Sequence, residues 1–206
     1  MTARNPIRCD MPPPVLLVPP AVLPVGREEV KLHCRLDGDD EDSLIDGLVL
    51  AATMLLDGYS GVLGRCLIAQ TWMQAYTGWC PQMPLPFADC QNPQVSWLDH
   101  AGVWRQVPAR AFEIVRGARG DRLRYLDGFT APALNADVAH PVRITFTAGY
   151  GTTPADVPAP IRQAIKLTVG FWYEHRDLDP DKPPAAGGAL PWVADRILSP
   201  YRRVGV

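Results

Sequence analysis

The sequence predicts an α+β protein: a small helical bundle formed by N- and C-terminal helices, with an antiparallel β region inserted between them. Three observations carry this. Segments near both ends repeat their apolar residues with a helical period, and the middle third is rich in β-formers separated by turn residues. The third is a change of period inside "VRITFTAGYGTTPADVPAPIRQAIKLTVGFWYEHRD", residues 142–177. There Val142, Ile144, Phe146 and Ala148 alternate as in a half-buried strand. From Ile161 the apolar positions become Ile161, Ala164, Ile165, Thr168, Val169 and Trp172, one stripe of a helix. Gly149, Gly151 and Pro154, Pro158 and Pro160 mark the joint, with glycine placed where the corner needs positive φ.

In chain order, residues 1–24, which include most of "MPPPVLLVPPAVLPV", read as a proline-rich arm of polyproline type. Either a floppy terminus or an ordered arm lying on a neighbouring subunit fits this composition. The prolines forbid the short helix of a signal sequence, and no small-residue cleavage site follows. A single domain is expected over 25–200, with helices in 25–64 and 155–200, a β insertion over 65–150, and a tail at 201–206. The first helix, about residues 27–36, presents Val30, Cys34 and Leu36. The second follows "DGDDED", where Asp40 or Asp42 is suited to cap the helix and to favour its positive end. Leu44, Leu48, Ala51, Ala52, Leu55 and Tyr59 form its core stripe, and Gly58 and Gly61 stop it. Leu48, Leu55, Ile165 and Trp172 are expected in one apolar cluster.

Within the insertion "CLIAQTWMQAY" is a strand, and "CPQMPLPFADCQNP" is a proline-broken loop. "QVSWLDHAGVWRQV" is a hairpin turned at His100, Ala101 and Gly102. "AFEIV" and "RLRYL" pair around "RGARGD", and "PVRITFTAG" closes the region. After the long helix come the linker "DLDPDKPPAAGG" and a short amphipathic helix with Leu190, Val193, Ile197 and Leu198.

Composition narrows function by exclusion. The 206 residues carry a net charge of −2, which argues against a general nucleic-acid coat while leaving room for a local basic patch. Five cysteines without a CxxC pair fit reduced thiols better than a disulfide framework. No apolar run reaches the ~18 residues of a membrane helix.

Each sign of chemistry fails on its own terms. "GYSGV" has Val62 where a nucleophile elbow needs glycine, and it follows a helix. "GVLGR" lacks the Gly-Lys-Ser/Thr of a phosphate loop, and no GxGxxG occurs. An EF-hand counted from Asp37 would need Gly and Glu where Asp42 and Leu48 stand. His33 and Cys34 are adjacent and cannot share one ion on a helix. His100, His140 and His175 have no acid–base partner at motif spacing. No catalytic, cofactor-binding or metal-binding residue is therefore assigned. Arg116, Arg119, Arg122 and Arg124 cluster at the expected hairpin tip, either as a solvated turn or facing an acidic partner or DNA.

Three segments together resemble the head–tail connector, or adaptor, proteins of long-tailed phages and gene-transfer-agent particles. They are "DGDDEDSLIDGLVLAATMLLDGYSGVLGRCLIAQTW", the 142–177 stretch above, and "ILSPYRR". The likeness covers most of residues 25–203; the proline arm lies outside it. The resemblance implies a non-enzymatic virion protein without cofactor, made in the bacterial cytoplasm. It implies a ring, expected to be dodecameric, that joins the portal vertex of a DNA-filled head to a stopper or tail-completion protein and continues the DNA channel. A small cytoplasmic enzyme or free-standing binding module sharing only the bundle is the alternative. With a portal as partner, "SPYRRVGV" reads as an extended docking tail. Tyr201 and Val204 would fill shallow pockets, and Arg202 and Arg203 would pair with acidic groups. A disordered terminus is the competing reading.

Overall fold

The computed structural model describes residues 10–117, 120–175 and 190–203, so Cys9, Arg119, Val204 and the 177–188 linker lie outside the described residues. The chain divides into two compact units, Met1–Pro19 with Ala69–Gly149 and Val204–Val206, and Pro20–Ile68 with Tyr150–Arg203. The class is mixed α+β, with four α-helices and eight strands among the described residues.

The first unit contains β1 (Val15–Val18), β2 (Gln70–Tyr76), β3 (Gln82–Pro84), β4 (Gln91–Leu98), β5 (Trp104–Gln106), β6 (Phe112–Val115), β7 (Arg122–Tyr125) and β8 (Val142–Ala148). A five-stranded sheet has the order β1-β2-β8-β4-β5, and a three-stranded sheet the order β3-β7-β6. All pairings are antiparallel. Alternation decides what β8 buries: Val142, Ile144, Phe146 and Ala148 are inside, and the residues between them are half-buried or exposed. Trp72 of β2 stands opposite Phe146, and Phe87 packs on both rings at centroid distances of 5.1 and 6.2 Å. The β4–β5 hairpin turns where expected. Asp99 sets it: one carboxylate oxygen accepts from the amides of Ala101 and Val103, both at 2.9 Å, and the other from Arg105 Nε at 2.6 Å. The amide of Val103 and then the guanidinium of Arg105 hold this carboxyl below the usual aspartate range.

Two expectations are corrected in this unit. The arm is not polyproline throughout, because Val15–Val18 pairs with β2 as an edge strand. "VLLV" is a proline-free apolar run between Pro14 and Pro19, so its amides can enter a ladder that the flanking prolines cannot continue. The "CPQMPLPFADCQNP" loop likewise contributes β3, which pairs with β7 through Gln82, Met83 and Pro84. A third correction concerns the cysteines. Cys34, Cys66 and Cys90 form no disulfide, but Cys80 is disulfide-bonded. Spacing alone carries no information about which sulfurs the fold brings together. Burial, and then the charge of Asp121, push the Cys90 thiol up to about 12, which leaves it inert near neutral pH.

The second unit contains α1 (Arg27–Cys34), α2 (Asp42–Leu56), α3 (Ala159–Glu174) and α4 (Trp192–Leu198). α3 packs against α1, α2 and α4. Its stripe Ile161, Ala164, Ile165, Thr168 and Val169 is buried as the period requires, and the Thr168 hydroxyl donates to the Ala164 carbonyl at 2.8 Å. At the joint before it, Gly149 has φ +140°, where side chains are strained. Thr153 and Asp156 then form a reciprocal capping box ahead of Pro158. The joint is thus a change of backbone direction enforced by glycine, a cap and proline.

α2 departs from its expected face. Ile45, Val49, Ala52, Thr53 and Leu56 are buried, while Leu44, Ala51 and Tyr59 are exposed and Leu48 and Leu55 half-buried. Leu48, Ile165 and Trp172 do join the core cluster. The capping role is also corrected: Glu41 is the N-cap residue and makes no side-chain cap bond. The acids instead clasp α1. Lys31, only 9% exposed, donates to Asp39 at 3.0 Å and Asp42 at 2.8 Å. Arg27 bridges Asp42 and Asp46. The Lys31 ammonium thus ties α1 to the loop before α2 and to the first turn of α2.

Core truncation separates the two α2 registers. Ile45→Ala and Ile165→Ala should each cost about 2–5 kcal/mol in denaturant unfolding, and Leu55→Ala less than either. An equal loss at Leu55 would restore the other face. The clasp has a pH signature. Lys31, then Arg27, hold Asp42 below its ordinary 3.8, and Arg27 holds Asp46 below the same value. Their stabilisation is present above pH 3.8 and is lost as pH falls through the lower folded values. Asp42, then Asp39, raise Lys31 above 10.5, so its share is complete below that pH and is lost as pH rises further. Asp42→Asn should therefore lower the denaturant midpoint at pH 7, with its deficit shrinking at pH 3. No deficit at pH 7 would show the clasp to be ornamental.

Candidate interaction surfaces

Among the described residues no group of three His, Cys, Asp or Glu side chains is placed to hold a metal, and no helix is long and apolar enough to cross a membrane. A cleft of about 350 Å³ opens beside the clasp, lined by Lys31, Leu36, Asp37, Asp40, Glu41 and Asp42 among others. Lys31 in its lining is held by Asp39 and Asp42, and Glu41 accepts from the Tyr173 hydroxyl, while Asp37 and Asp40 face solvent. It is a seam beside the α1–α2 loop. His33, His100 and His175 are exposed in separate elements, and "GYSGV" is a turn after α2.

Two arginines of the expected basic tip are held in ion pairs. β6 and β7 pair as read, placing Arg122 and Arg124 on β7 and Arg116 just beyond β6. Arg116 bonds Asp121 at 2.5 Å, and Arg124 bonds Glu113 at 2.5 Å. Arg122 donates to Gln82 at 3.2 Å. Asp121 is only 1% exposed and also accepts from the Cys90 amide at 2.9 Å, so it organises the loop from inside. Among the described residues Arg116 and Arg124 each meet a carboxylate across or beside the strands, and Arg122 meets an amide oxygen. Arg119 lies outside the described residues.

At the C-terminus the extended-tail expectation is corrected over Ser199–Arg203. Ser199–Tyr201 is a 3-10 turn continuing from α4. Tyr201 packs against the helical core, its carbonyl accepts from Arg65 Nε at 3.0 Å, and the Arg203 amide donates to the Leu63 carbonyl at 3.0 Å. Arg202 pairs with Asp195. Proline at the second position of a tight turn supports this reversal as well as it supports an exit, and the sequence alone does not separate the two. Val204 lies outside the described residues.

Exposed apolar side chains are what sequence reading passed over. Leu32, Leu50, Met54, Tyr59 and Trp192 are 48–83% exposed, and β1 exposes all four of its residues. Patches of this kind mark contact surfaces on soluble proteins.

No protein-family model matches the sequence, and a comparison with curated proteins finds no match. The fold does match solved structures. A chain from the neck of an empty gene transfer agent (GTA) particle with C6 symmetry has TM-score 0.73 and 24% identity, covering 94% of this chain and 96% of that one. A chain from the virion of a native GTA particle has TM-score 0.72 and 23% identity, with 94% and 96% covered. A chain from the neck of a native GTA particle with C12 symmetry has TM-score 0.66 and 25% identity, with 97% of each covered. Over nearly its whole length the chain shares its fold with chains of GTA particles and their necks.

Proposed function

We propose that this protein is a structural, non-enzymatic component of the neck of a phage or phage-like particle. Within the neck it is a ring-forming adaptor between the portal vertex and the stopper or tail-completion protein, and its ring continues the DNA channel. The observation that carries this is the end-to-end fold match to GTA neck chains, with neither partner leaving a large part unmatched. The neighbours' C6 and C12 symmetries support a ring, and twelve copies satisfy either operator.

In this proposal the portal contact stays at the C-terminal end, with Tyr201, Arg202 and Arg203 offered from or beside a folded turn and Val204 next in sequence. DNA contact at Arg116, Arg119, Arg122 and Arg124 is weak and independent of base sequence, as the partly neutralised tip allows.

The test is assembly with a purified portal of the same particle. Closed rings that bind the portal, seen by electron microscopy and native mass measurement, are the expected result. A folded protein that stays monomeric at high concentration and ignores the portal would exclude the adaptor role. Arg122→Ser with Arg124→Ser should leave ring assembly intact and reduce genome retention; unchanged retention and ejection would assign the tip to solvent.

A further inference from the structure

α2 is apolar on two opposite faces. Between Ser43 and Leu56 its only charged residue is Asp46. Ile45, Val49, Ala52 and Leu56 lie in the core at 0–1% exposure. At about 100° per residue, Gly47, Leu50, Ala51 and Met54 fall on the reverse side, with Leu44 at its margin. Leu44, Leu50 and Met54 are 39, 48 and 67% exposed, and Tyr59 and Val62 extend the apolar surface into the following turn at 48 and 38%. A helix that is apolar all round is normally buried all round. In the protomer, α2 is buried on one side only.

The same unit carries a matching projection. Trp192, in the first turn of α4, is 72% exposed, and Val193 beside it is 40% exposed. α2 and α4 each pack on α3, so the apolar face and the aromatic projection are carried by two different helices of the bundle. On α2 the space above Gly47 is open: a Cβ there would meet nothing within 4 Å. Gly47 and the small Ala51 therefore form a shallow notch bordered by Leu44, Leu50 and Met54.

We infer that the reverse face of α2 is the seat of a second copy of this chain, and that each copy's Trp192 and Val193 enter the α2 notch of the next. This rests on the ring reading above and names the contact that builds the ring. A cyclic assembly of more than two copies needs a heterologous interface, in which every protomer offers two different, complementary patches. The α2 face and the α4 projection supply such a pair. Their chemistry is that of an interface centre, with an exposed Trp facing an uncharged apolar patch. The stripe that helical periodicity first singles out, Leu44 through Tyr59, borders this contact, so the second apolar period in α2 has its own use.

Directed crosslinking tests it. Met54→Cys and Val193→Cys proteins are mixed in equal amounts, assembled with portal and oxidised, with the parent protein as the thiol background. Dimers joining one variant to the other are expected, and a double variant should give a ladder of multimers. In parallel, Met54→Glu and Trp192→Ala should fold normally, since both side chains face solvent, yet weaken ring assembly by about tenfold or more. Wild-type-like rings from both variants would overturn the inference while leaving the ring reading in place. So would crosslinks that form only between identical variants, because that contact is isologous. Normal rings that no longer bind portal would transfer the face to the portal and overturn it too. A parent protein that never forms rings, even with portal, would take down both readings.

Discussion

The helical unit depends on α3. Its stripe of Ile161, Ala164, Ile165, Thr168 and Val169 is completely buried, and the other three helices pack around it. Among the described residues α3 is the helix that packs on each of the other three. The chain reaches α3 only after traversing the β segment, so α1 and α2 meet it across a long sequence separation. The corner from Gly149 to Pro160 carries a glycine at positive φ, a capping box and proline.

Around that core the specific contacts are polar. The clasp of Arg27 and Lys31 on Asp39, Asp42 and Asp46 links α1 to α2, and Arg162 of α3 reaches Glu29 of α1 at 2.7 Å. Lys31 is buried along most of its length, and its ammonium is satisfied by Asp39 and Asp42. The acidic run that superficially suggests a calcium loop is used to match charges already present on α1.

Much of the architecture was legible in the residues. β8 and α3 follow their periods, the β4–β5 and β6–β7 hairpins turn where read, and the class is correct. The failures have identifiable physical causes. α2 has two apolar stripes, and periodicity cannot say which of them faces the protomer's own core. β1 is a short apolar run among prolines, and its pairing with β2, some fifty residues on, leaves no local signature. The Ser199–Arg203 turn is held by Arg65 and Leu63, long-range partners that a terminal segment does not reveal. The pairing of Arg116 with Asp121 and of Arg124 with Glu113 forms only when the strands pair, so spacing along the chain does not show it.

The chain pairs a β region with a bundle that keeps surplus apolar surface. On this account α2 is a shared helix: one face folds the protomer and the other joins it to the next. Hydroxyl-radical footprinting of Met54 and Trp192, in the free protein and in the portal-bound assembly, tests that claim most directly. The account predicts strong labelling of both side chains in the free protein and protection of both after assembly, with buried Tyr76 unlabelled throughout. Equal labelling of Met54 and Trp192 in the two states would contradict it.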